Sequence, residues 1–489
     1  MAVHERGVLG GNRDGQGRRS RVPCVTVLLI DTQAGKVRAN LSAGVVDAPG
    51  LRYSTASSRS RGSEVSSVIA GEAQARPAAF PQRPGMLDGL LGTALSELEQ
   101  SEDAFSLRVQ APAGAHGLPV LFFIPGGGFT TGSGESRWYD SPDLVRNGGF
   151  VLVTVNYRLG VIGHFGPSAD PSESTKPLRD LKAALAWVQE NISAFGGDPG
   201  KVTLAGDSAG AWYGYALSTD PSARGMAAQT LLISMPRLAP LPVDVWLSHC
   251  AAVLATLGSD LAAASVPAVL DAQEAARAGL RPFPYMPAES GEVPADLVRF
   301  ADSVQRIHTD ALFILTTAEE SAAFLRNQPR DQFSNAGVDG FLERTFKDPA
   351  LASGLLGADD AYLRMVRAAT LAQFRLPALE IAAHSPVPAQ VVRFDHQSKL
   401  DGAYAAHCFP LAFIFDGTNR WADSPMMVDA AEAETARVTA SMRDLISRFL
   451  YCGVAESSRY DAREPRSMVI DADGVGWEPV REAEVRVLG

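Results

Sequence analysis

From Pro119 onward the chain alternates short, continuous apolar runs with stretches of helical spacing. Residues 120–124 form the first run, and residues 150–157, rich in Val, form the second. Further strand-like stretches at 202–205, 230–233, 310–317 and 390–394 follow, apolar for the most part. Apolar runs this short, without polar alternation, predict strands buried on both faces. Between the second and third runs, Leu181, Leu185, Val188 and Ile192 fall on one face of a helix spanning 178–195. Gly196 and Gly197 end it. Strands that alternate with helices predict a mostly parallel sheet covered by helices on both faces, an α/β fold.

The flanks of this pattern differ in texture. Residues 1–22 are rich in Gly and Arg and lack the apolar stretch of a signal peptide, so they are expected to be a flexible tail. Strand-like residues begin after Pro23, and 23–489 are expected to form a single domain. Residues 54–83, rich in Ser, Ala and Arg, read as a surface excursion. Ala- and Pro-rich stretches near 236–305 and 326–388 read as mostly helical insertions over the C-terminal edge of the sheet.

Composition narrows the functional classes. With 46% hydrophobic and 20% charged residues, wholesale disorder is excluded. A net charge of -11 argues against a nucleic-acid partner, which calls for a basic face. No apolar run approaches the 18 or so residues of a membrane span. Cys24, Cys250, Cys408 and Cys452 are far apart, without a CxxC pair or a His at zinc-like spacing. Free thiols in a reducing cytoplasm are the expectation.

Chemistry enters at Gly206-Asp207-Ser208-Ala209-Gly210, a G-x-S-x-G pentapeptide between a strand and the helix-like stretch 211–217. A sharp strand-to-helix turn exposes the Ser hydroxyl and needs small residues two positions to either side. Such a Ser can attack a carbonyl, and the resulting oxyanion needs amide donors. Gly126-Gly127-Gly128 follows the first strand and can approach an oxyanion without a Cβ in the way. Gly127, Gly128 and Ala209 are the candidate oxyanion hole. No Lys and Ser/Thr pair follows the glycines, which argues against a phosphate-binding loop.

At these residues the chain resembles the type B carboxylesterase and cholinesterase family of α/β-hydrolases. "NYRLGVIG" at 156–163 and "ENISAFGGDPGKVTLAGDSAG" at 190–210 are similar to that family's signature stretches. Ser101-Glu102-Asp103-Ala104-Phe105-Ser106-Leu107 resembles its S-E-D-C-L-x-L motif, and Gly50-Leu51-Arg52-Tyr53 an early G-I-x-Y element. The resemblance implies the α/β-hydrolase fold, with the chain order Ser, acid, His. His407 lies in "GAYAAHCFPLAFIF", similar to the family segment that carries the base; His249, His308, His384 and His396 lack such a frame. Glu319-Glu320 follows the strand-like run 310–317, where an orienting acid belongs. The family's D-E-G-x-x-F register, counted back from Phe324, places that role on Glu320.

Departures from the family are equally specific. Pro125 precedes the glycine run in place of His or Tyr, and Ser321 replaces the glycine after the acid. Trp212 and Tyr213 replace small residues, and Asp207 stands where Glu is usual. Phe80 and Ala104 occupy the places of an N-terminal disulfide. Asp207 could either attract a cationic substrate group or make a structural hydrogen bond.

These residues support a serine hydrolase of carboxylic esters: Ser208 as nucleophile, His407 as base and Glu320 as orienting acid. No metal or organic cofactor is implied, and the expected partner is a small ester. Phe129, Trp138, Tyr139, Trp212 and Phe413 suggest an apolar, aromatic-lined pocket. Acyl transfer to an alcohol or amine, or lactone formation, would use the same groups. A non-catalytic binding protein of this family would be expected to lose one of them.

Overall fold

The computed structural model describes residues 25–55, 73–415 and 420–488, apart from 167, 169, 358 and 359. The expected tail at 1–22, Cys24 and part of the 54–83 excursion lie outside these residues.

One apolar run feeds two cores. In the strand Leu118–Ile124, Val120, Phe122 and Ile124 join one hydrophobic cluster, while Leu121 and Phe123 join another. Side chains alternate across a strand, so a run that is apolar at every position must be covered on both faces. The helices Lys176–Asn191 and Ala209–Thr219 supply one cover, through Leu181, Leu185, Val188 and Leu217. The helix Glu432–Cys452 supplies the other, through Val438, Met442, Ile446 and Phe449.

Among the described residues, twelve strands form one sheet. They are β1 (Thr26–Thr32), β2 (Gly35–Ser42), β3 (Val45–Arg52), β4 (Ser106–Pro112), β5 (Leu118–Ile124) and β6 (Val151–Val155). The remainder are β7 (Gly197–Asp207), β8 (Gln229–Ile233), β9 (Ala311–Thr317), β10 (Ala389–Phe394), β11 (Arg466–Asp471) and β12 (Gly474–Pro479). The order is β1-β2-β3-β4-β6-β5-β7-β8-β9-β10-β11-β12. From β6 to β11 every neighbour is parallel. The six predicted runs fall on β5 to β10. The first four strands and β12 pair antiparallel. Of these flanks, only a strand-like start after Pro23 was legible in the sequence.

The predicted helix at 178–195 is an α-helix over Lys176–Asn191 and a 3₁₀ turn over Ile192–Phe195, closed by Gly196 at φ 84. A left-handed residue there caps the last carbonyls, and a side chain would disfavour it.

The stretch 236–305 carries the helices Val243–Leu257 and Val266–Arg277. Among its described residues, the stretch 326–388 carries four α-helices, including Ala361–Thr370 and, joined to it by a π-helical turn over Leu371–Arg375, Leu376–His384. The last packs on β9 and β10 and links these parallel neighbours as a crossover helix, so this part of the expected insertion belongs to the sheet's own architecture.

Candidate active site

Ser208 sits where β7 turns into the helix Ala209–Thr219, at φ 55 and ψ -121, a strained backbone for a residue with a Cβ. The turn closes only because its neighbours are glycines. A Cβ on Gly206 would lie 2.4 Å from the Gly210 carbonyl, and one on Gly210 would lie 2.0 Å from the Ile124 oxygen. The Ser208 amide donates to Ile233 O at 2.9 Å, tying the turn to β8.

The glycine run packs directly on this turn. A Cβ on Gly126 would meet Asp207 O at 2.6 Å and Ser208 Cβ at 3.0 Å. Gly127 has φ 128, and its carbonyl accepts from the amides of Thr130 and Thr131, at 3.1 and 3.0 Å. Pro125, where the family pattern breaks, is held by its carbonyl: the Tyr157 hydroxyl donates to it at 2.6 Å. Gly128, Ser208 and Ala209 line one cavity together, and Gly127 and Ser208 share the lining of a second.

The other two candidates meet across 87 residues of chain. His407 Nδ1 lies 2.7 Å from Glu320 Oε2, and both side chains are fully buried. Glu320 Oε1 accepts from the Thr317 amide at 2.8 Å, which fixes the carboxylate at the end of β9. Rings of Phe324 and Phe374 flank the imidazole, with centroids at 5.1 and 5.2 Å. His407 Nε2 is buried without a hydrogen-bond partner, and the imidazole lines the same cavity as Ser208. No hydrogen bond joins Ser208 Oγ to Nε2. Glu319 is buried too, rather than solvated. Its Oε2 accepts from Gln397 Nε2 at 3.1 Å and the Ala405 amide at 3.4 Å, bracing the segment that carries His407.

The sequence profile of the carboxylesterase family matches residues 72–257. A probable N-octanoylanthranilate hydrolase from Rhodococcus erythropolis is 30% identical over 414 residues, which cover 79% of this chain and 84% of that protein. The chain belongs to the type B carboxylesterase family. The para-nitrobenzyl esterase of Bacillus subtilis is 36% identical over 43% of this chain and 44% of its own. A solved PNB esterase structure superposes with a TM-score of 0.79 at 28% identity, covering 94% of this chain and 99% of that one. The protein is therefore a carboxylic ester hydrolase with the α/β-hydrolase fold.

Several residues that set this esterase apart lie beside Ser208. Burial pushes the Asp207 carboxyl up to about 6, against the charge of His407 and the Cys408 thiol hydrogen bond, which pull it down. That thiol donates to Asp207 Oδ2 at 3.2 Å. Burial and the neighbouring carboxylates keep the thiol itself well above the ordinary range, so it is a neutral donor and a poor nucleophile. One oxygen of Asp207 is engaged in this way, and the other, Oδ1, is buried without a hydrogen-bond partner among the described residues. Cys408 adopts φ 67, a left-handed backbone that a side chain disfavours. Asp207, His407 and Cys408 have ligand atoms within 4.8 Å of one another, the spacing of a metal site. Hydrogen bonds engage Asp207 Oδ2, Cys408 Sγ and His407 Nδ1, whereas Asp207 Oδ1 and His407 Nε2 make none among the described residues. For His407, burial lowers the imidazole pKa, but the hydrogen bond and charge of Glu320 and the charge of Asp207 outweigh it and raise it overall.

Two cavities open from Ser208. A narrow one of about 60 Å³ is lined by Gly126–Gly128, Trp138, Tyr139, Leu411 and Trp421. A wide one of about 590 Å³ is lined by Phe129, Leu238, Phe283, Phe324, Phe374 and His407. Phe129, Trp138 and Tyr139 thus face a cavity as expected. Trp212 and Phe413 do not. Trp212 is buried against Phe129 and donates its indole N–H to Leu238 O, and Phe413 packs among Phe394, His396 and Phe409. Sequence reasoning missed Phe283 and Phe374, which come from the stretches read as insertions and carry no motif. Phe283 sits at φ 54, and only its flanking Pro282 and Pro284 hinted at a rigid turn.

Proposed function

We propose that this esterase cleaves its substrate through an acyl-enzyme on Ser208. The reading rests on one observation above the others: a buried His407–Glu320 pair, 2.7 Å apart, whose remaining nitrogen lacks a partner and whose ring lines the cavity of Ser208. Ser208 Oγ attacks the ester carbonyl while His407 Nε2 takes its proton. The negative carbonyl oxygen is met by the amides of Gly127, Gly128 and Ala209. Collapse expels the alcohol, which receives the proton from His407, and leaves the acyl group on Ser208. Water then gives a proton to His407 and attacks the acyl carbonyl. The acid leaves and the proton returns to Ser208. Glu320 holds the imidazole with Nδ1 protonated and offsets its charge when it becomes an imidazolium.

The two cavities suit a substrate with one slim and one bulky arm. A volume of about 590 Å³ with aromatic walls suits a drug-sized apolar group. Relatives named for N-octanoylanthranilate and para-nitrobenzyl substrates are consistent with a medium-chain or aromatic arm there. The decisive experiment is labelling with a fluorophosphonate followed by peptide mapping. A single adduct on Ser208, abolished by Ser208→Ala, is expected. An adduct elsewhere, or none in a protein that still cleaves 4-nitrophenyl esters, would overturn the assignment.

A further inference from the structure

The wide cavity is apolar around Ser208 and cationic at its mouth. Besides His407, its charged lining residues are Arg277 and Arg281, and no Asp or Glu lines it. In a chain with 55 acidic and 44 basic residues, an acid-free rim with two arginines runs against the overall charge. Arg277 makes one loose ion pair, 3.6 Å from Glu274 a turn earlier on a partly exposed helix face. Arg281 is exposed and forms no ion pair among the described residues.

The backbone beneath Arg281 is held in place. Pro282 and Pro284 fix φ on either side of Phe283, which itself sits at φ 54. The Pro284 carbonyl is bonded at 3.1 Å by Nδ1 of the buried His249. Phe283 lines both cavities, and its ring lies 3.5 Å from where a Gly128 Cβ would be. The segment that strains to place an aromatic wall at Ser208 therefore also sets a guanidinium at the entrance. Strain of this kind persists where surrounding contacts hold it, and it clusters at ligand sites. A guanidinium with unused donors favours a planar oxyanion.

We propose that the substrate arm bound in the wide cavity carries a carboxylate, received at the mouth by Arg281 and Arg277, on an otherwise apolar acid or alcohol. The inference rests on Ser208 as the nucleophile, since the ester carbon must lie there while the carboxylate reaches the rim. It makes the enzyme selective for esters of half-acids or of hydroxy acids over neutral esters of the same size. Selectivity of this type weakens with salt, because the rim is open to solvent.

The test compares two pairs of esters, each normalised to its rate with hydroxide. 4-Nitrophenyl hydrogen adipate against 4-nitrophenyl heptanoate puts the carboxylate on the acyl arm. 4-Acetoxybenzoate against 4-acetoxybenzamide puts it on the alcohol arm. In one pair, kcat/KM for the anion should exceed that for the neutral partner at low ionic strength. That ratio should fall at least tenfold in Arg277→Gln/Arg281→Gln, fall less in Arg281→Lys, and decline from low to high salt. Arg277 also lines the narrow cavity and Arg281 only the wide one, so the pair whose ratio falls in Arg281→Gln alone identifies the arm in the wide cavity. Ratios at or below one in both pairs, or a ratio unmoved by the double substitution, would overturn the proposal. Fluorophosphonate labelling of each variant separates the two layers. Full labelling at Ser208 with no anion preference defeats only the rim proposal, whereas an enzyme that cleaves esters unlabelled at Ser208 defeats the mechanism beneath it.

Discussion

Gly210 and Gly214 lie one turn apart on the helix after Ser208, and the same substitution should act in opposite directions at the two. An alanine Cβ at position 210 would sit 2.0 Å from the Ile124 oxygen, where ordinary contact begins at 3.4 Å, so about 1.4 Å must be taken up. The obstacle is backbone on β5 and at Pro125, whose oxygen would be 2.9 Å away. Neither can rotate aside as a side chain would, so the helix start or the glycine run must move. Overpacking of this kind costs about 1–3 kcal/mol. The larger loss is catalytic, because displacing a reacting group by about 1 Å costs on the order of 10²-fold. At position 214 the Cβ would meet Leu232 Cδ2 at 3.8 Å and Leu204 Cγ at 4.0 Å, both comfortable. Alanine there relieves a helix interior of about 0.5–1 kcal/mol of glycine penalty. For a chain of this length, 1 kcal/mol moves Tm by about 1 °C. Gly210→Ala should therefore lower kcat/KM on 4-nitrophenyl butyrate by about 10²-fold and slow fluorophosphonate labelling in parallel, with Tm down by about 1–3 °C. Gly214→Ala should keep kcat/KM within about twofold and raise Tm slightly. Gly210→Ala with activity within about fivefold of wild type would refute the claim that the elbow's geometry depends on that missing Cβ.

Glu320→Gln should lower kcat by several orders of magnitude, by analogy with about 10⁴ for the equivalent change in a worked Ser-His-Asp triad. Glu319→Gln, which disturbs the bracing of the His407 segment and a 3.5 Å ion pair with Arg367, should cost far less; steady-state kinetics that reverse this ranking would place the orienting acid on Glu319. Because the His407 pKa is raised above 6.5 and a base must be neutral, the acid limb of kcat/KM should have its midpoint above pH 6.5, and a profile on activated esters flat from pH 5 to 9 would exclude an imidazole base. Cys408→Ser keeps a donor to Asp207 Oδ2 and should retain activity within a few-fold. Cys408→Ala strands a buried carboxylate oxygen and should destabilise by about 1–3 kcal/mol in urea melts. Equal stability of the two variants would show that the thiol–carboxylate bond contributes nothing.

What could be read from the sequence is what local physics controls. Unbroken apolar runs on 120–124 and 311–315 require cover on both faces, so the parallel centre of the sheet was legible before its neighbours were known. The elbow was legible for a similar reason. A left-handed Ser between two glycines is a property of a few consecutive residues, and its chemistry needs no distant partner to be named. The register of Glu320 and the frame around His407 came from resemblance, and their 2.7 Å approach gives that reading its geometric support. The tertiary structure decided the rest. The flanking strands β1 and β2 expose alternate residues to solvent and carry weaker patterns, so their pairing depends on what they meet. The Cys408–Asp207 bond spans 201 residues, and neither residue type at either position announces the other. The walls of the wide cavity are set by where two long insertions fold back, which brings Phe283, Phe374 and Arg281 to Ser208 without any periodicity or spacing to mark them. A cavity is a property of surfaces facing one another, and only packing brings those surfaces together.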